Sequence, residues 1–313
     1  MAIRTEELRY DSRDRETKIY AKKWIPEGTP RAILQIVHGM SEAIDRYDEY
    51  AQWMAERGIM VIGNDHLGHG KTKTPEGTYG YFCKRDPATV LVRDVHRLKK
   101  IVQEENPGIP IVLMGHSLGA IIAREYISRY GTGISGAILQ ATGMQNMGQV
   151  RAAKVVAKII GTFCGEKHHS PLIHKMAFGH YNDRIPKPCP ASAWLSHNEE
   201  NIKKYEDDPA YGFIFTVNGF LTMGELIRRT QDEDDMFNIP KRLPILIACG
   251  TEDPTGGYGK SAKELCDIYQ NVCHIEDVTL KLYDGMRHEI HNEIDRVRVY
   301  EDELAFIERV IGK

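Results

Sequence analysis

The chain has 313 residues, of which 42% are hydrophobic and 27% charged, so its composition is that of a globular protein and not of a disordered tail or a fibrous repeat. Its 41 basic residues nearly balance its 44 acidic ones, and the formal charge of −3 offers no basic surplus for binding nucleic acid. At about 150 residues per domain the length predicts two domains, although a single α/β domain can also hold it.

The N-terminal residues predict no signal peptide. They read MAIRTEELRYDSRD, without the apolar stretch of a signal peptide, and no apolar run reaches the length of about 18 residues that a membrane helix needs. The six cysteines are scattered without a CxxC pair, which favours reduced, structural thiols. We therefore expect a cytoplasmic protein.

Apolar periodicity predicts strands and helices that alternate along most of the chain. Two alternating runs, residues 6–10 and 18–24, suit an antiparallel pair at a sheet edge. The alternation that follows predicts parallel βαβ units, with a polar, glycine-rich loop at residues 64–82. The predicted strands are residues 32–37, 59–63, 111–114, 136–140, 244–249 and 278–283, and the predicted helices are residues 47–57 and 87–104, one after Ser117, and residues 259–269 and 294–311.

The strand pattern is interrupted between the fourth and fifth of these later strands by helical and irregular text. We therefore predict a core made of residues 1–142 and 236–313, with an inserted, mainly helical cap of residues 143–235. Residues 211–221 of the cap are unusually apolar and aromatic. They are expected to pack the cap onto the core, to line an apolar substrate groove, or to do both.

A GxSxG motif supplies the strongest local signal. Residues 115–119 read GHSLG and lie between the apolar strand IVLM and the helical stretch LGAIIAREYISRY. A serine on such a turn stands at the carboxyl edge of the sheet, and the helix N-terminus behind it offers N–H groups to a developing negative charge. The alternative is an ordinary βα turn in which Ser117 is a helix cap. We predict that Ser117 is a nucleophile.

A serine nucleophile needs a base and a carboxylate that orients the base. Asp253, in GTEDP, directly follows the strand at residues 244–249, so its carboxylate should emerge at the same sheet edge as Ser117. Glu252 is the rival. We favour Asp253, because neighbouring strand residues point in opposite directions and Pro254 fixes the turn; the alternative is a turn-forming aspartate before proline.

The candidate base is His288, in YDGMRHEIHNE after the last predicted strand. His291 competes with it, but we expect His291 to open the last helix and His288 to lie in the loop. A surface histidine is the alternative, since the chain has 13 histidines. The order serine, aspartate, histidine, with each residue directly after a predicted strand, favours a catalytic role for His288.

Two backbone N–H groups are expected to form an oxyanion hole. Leu118, directly after the predicted nucleophile, offers one of them. Met40, in the turn after the strand at residues 32–37, offers the other. Side-chain identity matters little for this role, so a plain loop residue is the alternative for Met40.

Clustered histidines suggest a metal site only weakly. Asp65, His66 and His69 lie in NDHLGHG, which lacks a third strong ligand at suitable spacing, so we expect a structured loop near the site. The same reasoning applies to the histidines of the predicted cap, His168, His169, His174 and His180. We expect neither a metal nor an organic cofactor.

These motifs resemble the α/β-hydrolase family that includes monoacylglycerol lipases, bacterial lysophospholipases and proteins labelled serine aminopeptidase. The resemblance spans nearly the whole chain: HGMSEAIDRYDEYAQWMAERGIMVIGNDHLGHGKT matches the family's HG and GHG block, GHSLGA its nucleophile turn, and GTEDPTGGYGK and YDGMRHEIHNE its acid and base blocks. The cap text WLSHNEENIKKYEDDPAYGFIFT is similar to that of bacterial members. In one departure, lipases of the group often read HG.GEH or HG.AEH, whereas this chain has Ala43 in place of the final histidine.

The resemblance implies an α/β-hydrolase fold, with a mostly parallel central sheet flanked by helices and an inserted cap. It implies Ser117 as nucleophile, His288 as base and Asp253 as its partner, with Met40 and Leu118 as oxyanion donors. The implied activity is hydrolysis of carboxylic esters, EC 3.1.1, through an acyl-enzyme, on monoacylglycerols or lysophospholipid-like esters.

An aminopeptidase or amidase with the same triad is the alternative activity. It needs a cap carboxylate to hold the substrate's ammonium group, and the candidates are Glu199, Glu200, Glu206 and Glu225. The expected partner is a small lipid-ester or acyl substrate. The sequence leaves open the oligomeric state and whether an apolar lip of the cap docks transiently on lipid.

Overall fold

Eight strands form one sheet in the computed structural model, which describes residues 3–74 and 77–312. Pro75 and Glu76 of the predicted glycine-rich loop, and Met1, Ala2 and Lys313, lie outside the described residues. The strand order is β1-β2-β4-β3-β5-β6-β7-β8. The strands are β1 (Arg4–Asp11), β2 (Lys18–Ile25), β3 (Ala32–Val37), β4 (Ile59–Asn64), β5 (Ile111–His116), β6 (Gly136–Gln140), β7 (Ile245–Gly250) and β8 (Val278–Tyr283).

The sheet is mostly parallel, as the alternation of strands and helices predicts. β1 pairs antiparallel with β2 and β2 with β4, while all the remaining neighbours are parallel. β3, β4, β5, β6 and β7 are buried along their whole length, which explains why their sequences are continuous apolar runs and not alternating ones. The carboxyl ends of the parallel strands therefore meet at one edge of the sheet.

Ten α-helices accompany the strands in the described part of the chain. They are α1 (Asp48–Ala55), α2 (Pro87–Glu105), α3 (Leu118–Tyr130), α4 (Met147–Cys164), α5 (Pro171–Phe178), α6 (Glu199–Asp207), α7 (Val217–Thr230), α8 (Glu233–Phe237), α9 (Lys260–Asp267) and α10 (Val297–Ile311).

Helices cover both faces of the sheet, because successive strand residues point to opposite sides. Ile33 and Val37 of β3 join the apolar cluster that contains residues of α2, α3 and α9. Leu34 and Ile36, from the same strand, join the cluster that contains residues of α1 and α10. The sheet is thus the middle layer of three.

Helices α4 to α8 follow one another between β6 and β7, within and just beyond the predicted cap. α7 packs against α3 and α2 of the core as well as against α4. Its residues Val217, Phe220 and Leu226 belong to the same apolar cluster as the sheet residues. The division into core residues 1–142 and 236–313 and cap residues 143–235 remains a prediction.

The last helix begins later than predicted, at Val297. His291 lies in a short turn, Ile290–Asn292, and does not open the helix. The reason is tertiary: the His291 ring is buried 3.1 Å from the side-chain oxygen of Gln140, and its carbonyl accepts a hydrogen bond from the Tyr300 hydroxyl. Over residues 3–74 and 77–312, we find no helix that combines the length and the apolar character of a membrane span.

Candidate active site

Ser117 occupies a sharp turn between β5 and α3. Its backbone has φ 55° and ψ −118°, a conformation that is strained for a residue with a side chain and that turns the serine out of the sheet edge. The glycines on both sides allow this turn. A Cβ atom at Gly119 would clash with the carbonyl oxygen of Val37, and one at Gly115 with the backbone of Gly119 and Ala120. The GxSxG spacing therefore meets a packing requirement.

Asp253 and His288 form a buried pair at the same edge. The Asp253 Oδ1 atom lies 3.0 Å from His288 Nδ1, and both side chains are almost fully buried. Burial alone raises the pKa of Asp253, but the charge and hydrogen bond of His288, with further hydrogen bonds from Thr255, hold that pKa below its ordinary value. Because the carboxylate accepts, the proton of a neutral His288 lies on Nδ1, and Nε2 is the free base.

The two rival residues point elsewhere. The Glu252 carboxylate is half-exposed and lies 2.9 Å from Nε2 of His197. His291 is buried against Tyr47, with ring centroids 4.7 Å apart. Neither contacts the Asp253 and His288 pair through a hydrogen bond in the described residues.

Thr255, which the sequence interpretation missed, completes the hydrogen bonding of this pair. Its Oγ1 atom lies 2.7 Å and 2.8 Å from the two carboxylate oxygens of Asp253, and 3.0 Å from His288 Nδ1. Its N–H also donates to Asp253 Oδ1 at 2.8 Å. The sequence signal that could have found it is Asp-Pro-Thr, in which an aspartate before proline caps the N–H two residues on.

The turn after β3 is fixed on both sides of Met40. The N–H of Gly39 donates to the buried carboxylate of Glu42, and the N–H of Ser41 donates to His69 Nε2 at 3.3 Å. Met40 and Leu118 both line the cavity above Ser117. Their role as oxyanion donors remains a prediction.

The histidines of the glycine-rich loop serve this turn. Both ring nitrogens of His38 and of His69 contact backbone groups within 3.3 Å. Burial lowers the pKa of His66 to about 4 and that of His69 to about 3, so both rings are neutral at pH 7. These rings form the structured loop that the sequence favours over a metal site.

A cavity of about 290 Å³ opens above Ser117 and His288. Much of its lining is apolar and comes from α3, α4, α5 and α7, namely Ile121, Val150, Ile173, Phe178, Phe220, Met223 and Ile227. Polar residues also line it, among them Ser41, Glu42, Gln149, Lys154, Tyr205 and Glu289. Of the aromatic stretch 211–221, Phe213 and Phe220 line the cavity, whereas Phe215 is buried against Phe82, so the stretch both packs and lines.

Comparison with known proteins identifies the family of this chain. Residues 28–295 match the family described as serine aminopeptidase, S33. The chain belongs to this family. It is 28% identical over 285 residues to a monoglyceride lipase homolog of monkeypox virus, with 90% of each chain covered. It is 27% identical over 296 residues to a monoacylglycerol lipase of Mycolicibacterium smegmatis, covering 91% of this chain and 90% of that protein.

A solved structure of a thermostable carboxyl esterase from Bacillus coagulans, in complex with glycerol, superposes with a TM-score of 0.90. The two sequences are 29% identical, and the superposition covers 99% of this chain and 100% of the esterase. These similarities confirm the α/β-hydrolase fold and identify the protein as a carboxylic-ester hydrolase.

The aminopeptidase alternative depends on four carboxylates of the predicted cap. Among the described residues, none of them lines the cavity. Glu225 is bound by Lys154, Arg228 and Arg229, which lower its pKa to about 2 against the effect of burial. Glu206 accepts hydrogen bonds from the N–H and hydroxyl of Ser192. The hydrolase thus lacks, in the described cavity lining, the cap carboxylate that an ammonium substrate needs.

Residues 193–198 of the predicted cap bond directly to the backbone around His288. The N–H groups of His288 and Glu289 donate to the carbonyls of Trp194, at 3.4 Å, and Leu195, at 2.7 Å. The Trp194 ring also lies 4.8 Å from the His288 ring, centroid to centroid. Sequence reasoning missed this contact, because Trp194 and His288 lie far apart in the chain.

Proposed function

We propose that the hydrolase cleaves single-chain lipid esters, such as monoacylglycerols or lysophospholipids, with Ser117 as nucleophile, His288 as base and Asp253 as its orienting carboxylate. The observation that carries the proposal is the buried contact of 3.0 Å between Asp253 and His288 beneath a cavity that Ser117 also lines. The order of the three residues along the chain also suits this family's fold.

The reaction is a double displacement. His288 Nε2 takes the proton of the Ser117 hydroxyl as the serine oxygen attacks the ester carbonyl, and the oxyanion is held by the N–H groups of Met40 and Leu118. The protonated imidazole then gives its proton to the leaving alcohol, which leaves an acyl-Ser117 ester. Water, deprotonated by His288, hydrolyses that ester and restores the serine.

The cavity lining supports the substrate class. Its apolar residues provide burial for an acyl chain, which stabilises a bound ligand by about 0.8 kcal/mol per methylene group. Its polar side chains, among them Tyr205 and Glu289, offer hydrogen-bonding groups to the alcohol part of such an ester. The Arg46 guanidinium lies 2.7 Å from Glu289 and 4.7 Å from the centre of the Tyr205 ring. Similarity to proteins named monoglyceride lipase supports the same class.

The outer face of α4 supports transient docking of the predicted cap on lipid. Val155, Ile159 and Phe163 recur every four residues on one face, and their exposed fractions are 57%, 55% and 84%. Leu172 and Met176 of α5 are also exposed. Because other residues of both helices line the cavity, docking there would bring lipid to its mouth.

Hydrolysis of a substrate panel by purified Ser117→Ala and wild-type protein tests the proposal. The panel holds p-nitrophenyl esters of graded chain length, monoacylglycerols, lysophospholipids and aminoacyl amides. We expect wild-type activity to peak on the lipid esters and to fall by at least about a thousandfold in the variant. Ser128→Ala is the matched control, because Ser128 lies on α3, which follows Ser117, and its hydroxyl donates to the backbone carbonyl of Glu125 in that helix, at 3.1 Å.

Two results would overturn parts of the proposal. Unchanged ester hydrolysis by Ser117→Ala would show that Ser117 is not the nucleophile. Activity on aminoacyl amides alone would reverse the substrate class while leaving the triad in place.

A further inference from the structure

We infer that the Thr255 hydroxyl is a positioning group for His288: it accepts from Nδ1 while it donates to Asp253, and so holds the imidazole in the tautomer and orientation that the reaction needs. The inference rests on the proposed triad and adds to it a fourth residue.

Hydrogen-bond accounting carries the first step. A threonine hydroxyl has one proton to donate and two lone pairs with which to accept. Three acceptors surround the Thr255 Oγ1 atom: the two Asp253 oxygens at 2.7 Å and 2.8 Å, and the Ala141 carbonyl at 3.4 Å. The carboxylate is the charged and nearer acceptor, so it receives the hydroxyl proton.

The second step concerns the side of the hydroxyl that faces His288. With its proton committed to Asp253, Oγ1 presents a lone pair to His288 Nδ1 at 3.0 Å. Nδ1 lies at the same distance from Asp253 Oδ1. Nδ1 therefore meets two acceptors, and a neutral ring is stable there only with its proton on Nδ1, which leaves Nε2 free to take the serine proton.

The third step is orientation of the carboxylate. The Thr255 N–H and hydroxyl clamp the side chain of Asp253, and the Cys249 thiol lies 3.5 Å from its Oδ2. Asp253 is fully buried, so water does not replace these donors. The backbone N–H survives any substitution except proline, and the hydroxyl is the part that mutation can remove.

Thr255→Val tests the inference, since valine keeps the shape of threonine and lacks the hydroxyl. We expect kcat on a p-nitrophenyl ester to fall about tenfold, with KM within about twofold of wild type. The rate at which a fluorophosphonate labels Ser117 should fall by the same factor, because labelling needs the same base. Thr255→Ser should restore both rates to within about twofold. Thr279→Val, on the exposed side of β8, is the matched control.

Three outcomes would overturn the inference. They are wild-type kcat in Thr255→Val, equal losses in Thr255→Val and Thr255→Ser, and a rise in KM at constant kcat, which would make Thr255 a substrate contact. Thr255→Ala, with the same expected loss, covers the case in which the valine variant does not fold. Failure of the proposed function is distinguishable, since it would appear as activity in Ser117→Ala.

Discussion

Arg46 and Glu289 form an ion pair of 2.7 Å whose two side chains are only 6% and 3% exposed. Arg46 also donates to Asn201 at 3.0 Å, and its ring contacts are with Tyr205 and Tyr211. The pair therefore joins the turn just before α1 to the loop that follows His288, and Arg46 also connects this turn to α6. Glu289 lines the cavity directly after His288, so this charge pair also helps to shape the cavity.

Removal of one partner should lower the free energy of unfolding by much more than the intact pair adds to it, because a buried charge is left uncompensated. We expect Arg46→Met to lower the free energy of unfolding by about 3 kcal/mol in urea titrations. Addition of Glu289→Gln to that variant should recover part of the loss, since it removes one of the two buried carboxylates that Arg46 faces, the other being Glu42 at 3.8 Å. Lys203→Met breaks the exposed pair with Asp207 and is the control, with an expected change of no more than about 0.5 kcal/mol. A loss in Arg46→Met as small as in the control would contradict the prediction.

The sequence predicted the residues that local patterns determine. Ser117, Asp253 and His288 each lie after the carboxyl end of a strand, and parallel strands bring the residues after them to one edge. The sequence did not predict the contacts of Thr255 and Trp194 with His288, because those contacts depend on the three-dimensional course of loops. Arg46 and Glu289 are separated by 243 positions, and no sequence pattern around either residue indicates that they form a pair. The start of α10 was misjudged for the same reason, since burial of His291 overrides the helical periodicity around it.

The buried His66 ring should make stability depend on pH. Burial lowers its pKa to about 4, whereas an unfolded histidine titrates near 6.5. Between these values the unfolded chain binds a proton that the folded chain does not, so His66 lowers stability as pH falls, by up to about 1.4 kcal/mol per pH unit. The contribution is absent above about pH 7, where both states are neutral.

Urea titrations from pH 7 to 4.5 on wild type and His66→Gln should reveal the contribution of His66 to the pH dependence of stability. Glutamine retains a donor for the His38 carbonyl, which His66 Nε2 contacts at 3.0 Å. We expect the free energy of unfolding of the variant to fall less steeply with decreasing pH, with a slope smaller by up to about 1.4 kcal/mol per pH unit, the effect of one proton. His180→Gln, on the exposed face of the predicted cap, controls for the loss of a histidine as such. Parallel pH profiles for wild type and His66→Gln would refute the expected proton uptake.

The apolar stripe on α4 should govern access to lipid without governing the chemistry. Phe163 is 84% exposed, and transfer of such a ring into a lipid surface is favourable by about 1.5 to 3 kcal/mol. We therefore expect Phe163→Ser to weaken sedimentation with phosphatidylcholine vesicles at least about tenfold, and to slow hydrolysis of monoacylglycerol held in those vesicles. Hydrolysis of a water-soluble p-nitrophenyl ester should stay at the wild-type rate, because Phe163 does not line the cavity.

Phe237→Ser removes a phenylalanine that is 45% exposed on α8, outside the stripe, and is the matched control. Equal vesicle binding by Phe163→Ser and Phe237→Ser would show that the stripe is not the docking face. Loss of the soluble activity in Phe163→Ser alone would show that the ring is needed for the folding of the predicted cap.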